Sequence, residues 1–83
     1  MTQLPQVLVN VRVDEPLADV AERYADDIAR AAAPLGANGR ILVRPSGTEP
    51  LVRVMVEAPT AELAATTAES LAETIRIDHP PRR

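Results

Sequence analysis

The sequence predicts a small α+β domain: an antiparallel sheet with two helices packed on one face, in the order β-α-β-β-α. Three observations predict it. Short apolar runs show strand character at three places, and two longer segments repeat their apolar residues at helical spacing. The last two strands are separated only by Pro45-Ser46-Gly47-Thr48-Glu49-Pro50, a stretch of turn formers that suits a hairpin connection.

The first strand is expected over Val7–Val13, where valines at every second position share one face. Asp14-Glu15-Pro16 ends it. A helix is then expected from about Leu17 to Leu35, with Leu17, Val20, Ala21, Tyr24, Ile28, Ala31 and Leu35 in one apolar stripe and Asp19, Glu22, Asp26 and Asp27 mostly off it. Pro34 is expected to distort the last turn and Gly36 to cap it. Asn38-Gly39 signals a turn. Strands follow at Arg40–Arg44 and Leu51–Glu57. Thr60 is the expected N-cap of the second helix, with Glu62 suiting the positive end of its dipole. Ala64, Ala68, Leu71 and Ile75 form that helix's buried stripe, with Leu63 and Ala72 beside it. Residues 1–83 thus read as a single domain, and Asp78–Arg83 as a flexible tail.

The composition excludes several classes. With no cysteine, disulfides and thiolate metal sites are ruled out. His79 is the only histidine and reads as part of the solvated tail, so a multi-histidine metal site is excluded. A net charge of −3 and a single aromatic, Tyr24, argue against nucleic-acid binding, which needs cations and stacking platforms. No apolar run approaches the ~20 residues that span a membrane, and the N-terminus has no signal-like pattern. A cytoplasmic location is the expectation. Tyr24 is expected in the core with its hydroxyl at the surface, Met55 in packing, and Asn10 on an exposed strand face.

The stretch Arg44–Pro50 carries the chemistry. Pro45 and Pro50 hold their preceding residues extended, and Gly47 keeps the middle free. Successive N–H groups around Ser46, Gly47 and Thr48 can converge on an anion, the two hydroxyls add donors, and the Arg44 fork matches phosphate oxygens. An ordinary hairpin turn uses the same residues, and composition leaves both readings open. If these residues form the whole connection, Arg44 faces Leu51 and Leu42 faces Arg53. Arg12, Arg40, Arg44 and Arg53 then share one sheet face with Leu8, Leu42, Leu51 and Met55, a face too apolar to stand free. Arg53 either assists the anion or is only a cross-strand charge. Glu49 must turn away, toward Arg53 or Arg40.

The segment RILVRPSGTEPLVRVMVE, residues 40–57, resembles the C-terminal domain of the α-D-phosphohexomutases, and within that superfamily looks most like the bacterial phosphoglucosamine mutases. Leu4–Val13 and the element order fit as well. The resemblance implies a TATA-box-binding-protein-like fold. It implies the last quarter of a four-domain enzyme that interconverts glucosamine 6-phosphate and glucosamine 1-phosphate for UDP-N-acetylglucosamine and cell-wall synthesis. That enzyme works through a phosphoserine, Mg2+ and a bisphosphorylated sugar intermediate. Its C-terminal domain grips the phosphate that is not being transferred. Arg44, Ser46, Gly47 and Thr48 match the family's phosphate loop, and Arg53 lies just beyond it. The catalytic-serine segment, the Asp-rich metal loop and the sugar-recognition loop have no counterpart in this sequence. The chain alone is therefore expected to bind phosphate weakly, to hold no cofactor and to be inactive. Its implied partners are the phosphosugar substrate and the other three domains. A domain of a phosphomannomutase or phosphoglucomutase, and a free-standing phospholigand-binding module, are the alternatives.

Overall fold

The computed structural model describes residues 4–80. Three antiparallel strands form one sheet: β1 (Gln6–Arg12), β2 (Arg40–Pro45) and β3 (Leu51–Glu57), in the spatial order β1-β3-β2. The central strand β3 pairs with both neighbours. The helical segment between β1 and β2 therefore carries the chain past β3 to the other edge, a split β-α-β arrangement. The expected β-α-β-β-α order holds.

Alternation decides the faces. Val11, Val43, Val52, Val54 and Val56 are buried under the helices, with Val7, Val9 and Ile41 partly buried beside them. Helix α3 (Ala61–Asp78) covers β1 and β3 through Ala64, Thr67, Ala68, Leu71, Ala72 and Ile75. The small residues on this stripe let the helix lie close to the valine face. Thr67 is buried there too, although its hydroxyl hid it from a purely apolar pattern. Thr60 caps α3 as expected, its Oγ1 accepting from the Leu63 N–H at 3.1 Å.

The first helical segment departs from expectation. Instead of one helix over Leu17–Leu35 there are α1 (Val20–Arg23), α2 (Ala25–Ala32) and a 3-10 turn (Ala33–Leu35). Leu17 belongs to the turn before α1, and α1 starts without a side-chain cap at Asp19. Tyr24 sits at φ −107°, ψ 22° and breaks the helix in two. The stripe runs through the break because Val20, Tyr24 and Leu35 are all buried, whereas Ala21 is exposed. Pro34 sits inside the 3-10 turn, where its missing N–H ends the α ladder, and Gly36 closes it at φ 78°.

The far end of α3 is also more structured than a flexible tail. Asp78 is its last residue, and His79 caps it with an N–H bond to Ile75 O at 2.9 Å. The His79 side chain is mostly buried, between Asp14 and Arg23, so it is not a solvated tail residue. Residues 81–83 of the expected tail lie outside the described residues. Among the described residues no helix is long and apolar enough to cross a membrane.

Candidate functional site

The hairpin between β2 and β3 is pinned at both ends. Ser46 N–H donates to Leu51 O at 3.0 Å, Leu51 N–H turns back to Glu49 O at 2.8 Å around Pro50, and Val13 N–H donates to Pro50 O at 2.9 Å. Between these anchors Gly47 lies at φ 90°, a left-handed conformation that favours glycine. Among the described residues the N–H groups of Gly47, Thr48 and Glu49 have no hydrogen-bond partner. The expected cradle therefore needs one change. Ser46 N–H is taken up by the hairpin, and the free donors begin at Gly47. The Ser46 hydroxyl donates a long bond to Glu49 Oε1 at 3.5 Å.

The register differs from the simplest hairpin by two residues. Arg44 pairs with Arg53, not with Leu51, and Leu42 pairs with Met55. An even slip leaves every side chain on its expected face. The open face then consists of rows across all three strands. Next to the loop lie Arg12 and Leu51. The following rows are Asn10, Arg53 and Arg44, then Leu8, Met55 and Leu42, then Gln6, Glu57 and Arg40.

A groove of about 500 Å³ runs down this face. Arg44, Pro45 and Ser46 wall it at the loop end with Arg53, and Leu8, Leu42 and Met55 make its middle. Gly47 and Thr48 stand at the exposed tip beyond it. Leu8 is 60% and Leu42 is 40% exposed, as an uncovered apolar row requires. Met55, expected in packing, is buried between them.

Charge is unevenly distributed on this face. Arg40 is ion-paired with Glu57. Arg12, Arg44 and Arg53 have no carboxylate partner among the described residues, so the expected pairing of Glu49 with Arg53 or Arg40 is absent. Arg44 and Arg53 thus stand opposite each other, uncompensated, beside a loop with free N–H donors. Like charges directly across a ladder repel, and a bound anion would reverse that cost. Strand parity could place the arginines on one face, but only the register puts these two in one row.

Among the described residues no group of three or more His, Cys, Asp or Glu could hold a metal ion. These residues therefore do not fit a magnesium site.

The family model for the phosphoglucomutase/phosphomannomutase C-terminal domain matches residues 8–74. The chain belongs to this family of phosphohexomutase domains. The phosphoglucosamine mutase of Frankia alni is 55% identical over 84 residues, covering 100% of this chain and 18% of that protein. That of Parafrankia sp. is 57% identical over 77 residues, covering 92% and 16%. The chain thus spans about a sixth of these relatives, less than a quarter. Among solved structures, Aspergillus fumigatus N-acetylphosphoglucosamine mutase superposes with a TM-score of 0.78 at 33% identity, covering 94% of this chain and 16% of that one. A structure of the same fungal enzyme in complex with GlcNAc-6P and magnesium gives a TM-score of 0.77, also at 33% identity and the same coverage. The phosphohexomutase domain and its fold are therefore those expected from residues 40–57.

Proposed function

We propose that this domain binds the substrate's non-reacting phosphate in a phosphoglucosamine mutase, an enzyme that interconverts glucosamine 6-phosphate and glucosamine 1-phosphate for amino-sugar and peptidoglycan synthesis. The observation that carries the reading is the Arg44–Arg53 pair, unpartnered and in one row beside the free N–H groups of Gly47 and Thr48. Arg44 supplies a bidentate fork, Arg53 a second cation, and Ser46 and Thr48 hydroxyl donors. In the complete enzyme the phosphoserine, the Mg2+ and the bisphosphorylated sugar intermediate belong to the other domains and to the cleft between them, and a cytoplasmic location accompanies that metabolism. The domain orients the sugar by holding the phosphate that stays in place. Remote binding energy is thereby used at the reacting end. A grip that reads phosphate and little of the sugar also suits an intermediate that must present either end. Phosphoglucosamine mutases that are 55% and 57% identical to this chain over the matched stretch favour this substrate over the mannose and glucose phosphates named by the wider family.

Titration of the 83-residue chain with inorganic phosphate tests the site. Backbone amide shifts should concentrate at residues 44–50 and at Arg53, and shifts elsewhere would refute it. In the full-length mutase, Arg44→Ala should raise KM strongly and lower kcat; unchanged kinetics would remove Arg44 from the site.

A further inference from the structure

Outside the groove lining, a second polar cluster ties three elements together. His79, at the C-terminal end of α3, has its Nδ1 3.4 Å from Asp14 Oδ1 in the segment after β1, and its Nε2 3.4 Å from Arg23 Nη1 on α1. Arg23 also reaches Asp19 Oδ2 at 3.3 Å. Tyr24 packs edge-on against the His79 ring at 6.3 Å, and its hydroxyl donates to Asp78 Oδ2 at 2.9 Å. The groups facing His79 are therefore Asp14, Arg23, Tyr24 and Asp78, with Asp19 behind Arg23. Asp14 Oδ1 is buried and forms no hydrogen bond among the described residues.

Asp14 follows Val13, whose N–H holds the C-terminal end of the hairpin loop at Pro50 O. We infer that Asp14 and His79 are positioning residues for the phosphate loop, acting through the Val13–Pro50 hydrogen bond, and that the charge on His79 sets how firmly they hold it. The inference rests on the loop being the phosphate site. Because Arg23 can only donate, it meets the Nε2 lone pair of a neutral ring, which puts the ring proton on Nδ1, facing Asp14. A second proton on Nε2 turns that contact repulsive and leaves Arg23 to Asp19. At the same time the Nδ1–H toward Asp14 becomes charge-assisted, giving the buried Oδ1 a strong partner. Protonation thus exchanges an α3–α1 contact for a tighter hold on the segment that anchors the loop.

His79 is the only histidine, so its imidazole resonances report its own protonation apart from that of any other group. Inorganic sulfate is the suitable probe, since it stays dianionic while the ring gains its proton. Sulfate affinity of the 83-residue chain should rise about threefold as acidification protonates His79. His79→Gln, whose amide can serve both neighbours without titrating, should abolish the rise. Asp14→Asn should abolish it too, although a mere long-range effect of the His79 charge would survive that change. A rise of equal size in Asp14→Asn, or none in the unmodified chain, overturns the proposal. Should either variant fail to fold, the Val13 amide resonance of the unmodified chain decides: it must shift with His79 titration, and a static resonance sinks the coupling. Absence of sulfate binding at every pH would instead refute the phosphate site, while the Val13 resonance would still test the coupling.

Discussion

Arg44 and Arg53 face each other across the β2–β3 ladder on the open side of the sheet, and neither has a carboxylate partner among the described residues. Directly opposed like charges destabilise a sheet by a few tenths to about 1 kcal/mol. Arg53→Gln should therefore stabilise the ligand-free chain by about 0.5 kcal/mol in urea unfolding. With phosphate present the order should invert, because the unmodified chain gains binding free energy that the variant loses. A variant that is less stable in both conditions would mean that Arg53 has a structural partner of its own.

Gly47 supplies a separate test of the loop. A Cβ built on it meets nothing within 4 Å, yet its φ is +90°. Any cost of Gly47→Ala therefore comes from the backbone and not from a clash. That cost is about 1–2 kcal/mol if the loop keeps its shape, and is partly avoided if the loop relaxes. Either way phosphate binding should weaken, by about tenfold if some 1.4 kcal/mol is spent restoring the loop. A phosphate titration of this variant with unchanged affinity would show that the left-handed turn is not needed for binding.

Strand parity was legible for a physical reason. The side-chain period is two, so a register wrong by two residues still places Arg12, Arg44 and Arg53 on the open face and the valines on the buried one. The row that joins Arg44 to Arg53 was not legible, because it depends on where the hairpin closes. Ser46 N–H bonding to Leu51 O decides that. The break at Tyr24 was hidden because the apolar spacing of Val20, Tyr24 and Ile28 is the same on either side of it. The Asp14–His79 contact joins residues at opposite ends of the chain, so no local pattern marks it. By contrast, the Thr60 cap and β3 are local in origin and were read at their observed positions.

Thr60 allows stability to be altered without touching the proposed phosphate loop. Its hydroxyl satisfies the Leu63 N–H in the first turn of α3, where the helix has no backbone partner to offer. Thr60→Ala should cost about 1 kcal/mol, and Thr60→Ser should restore most of it. For a domain of this size that corresponds to a Tm lower by about 4–8 °C. Phosphate affinity should not change, since Thr60 contacts neither the loop nor the groove. Loss of affinity at equal folded population would indicate that α3 is coupled to the site.

Tyr24 gives the alkaline side of the stability curve a single reporter, since the chain has one tyrosine and no tryptophan. Burial of the ring, reinforced by its hydrogen bond to Asp78 and by that carboxylate's charge, pushes the phenol from its ordinary value of 10.0 up to about 12. A pKa raised in the folded state means that the native chain keeps a proton the unfolded chain gives up. The stabilisation is fully present below about pH 10 and is lost as pH rises through about 12. Near-UV phenolate absorbance should therefore show a midpoint near 12 for the folded chain and near 10 in denaturant. Asp78→Asn retains an acceptor for the hydroxyl but removes the charge, so the midpoint should fall. Because burial is the largest cause, it should still stay above the ordinary value. A folded-state midpoint at the ordinary value in the unmodified chain would show that the hydroxyl is in water and that the Tyr24–Asp78 bond does not form.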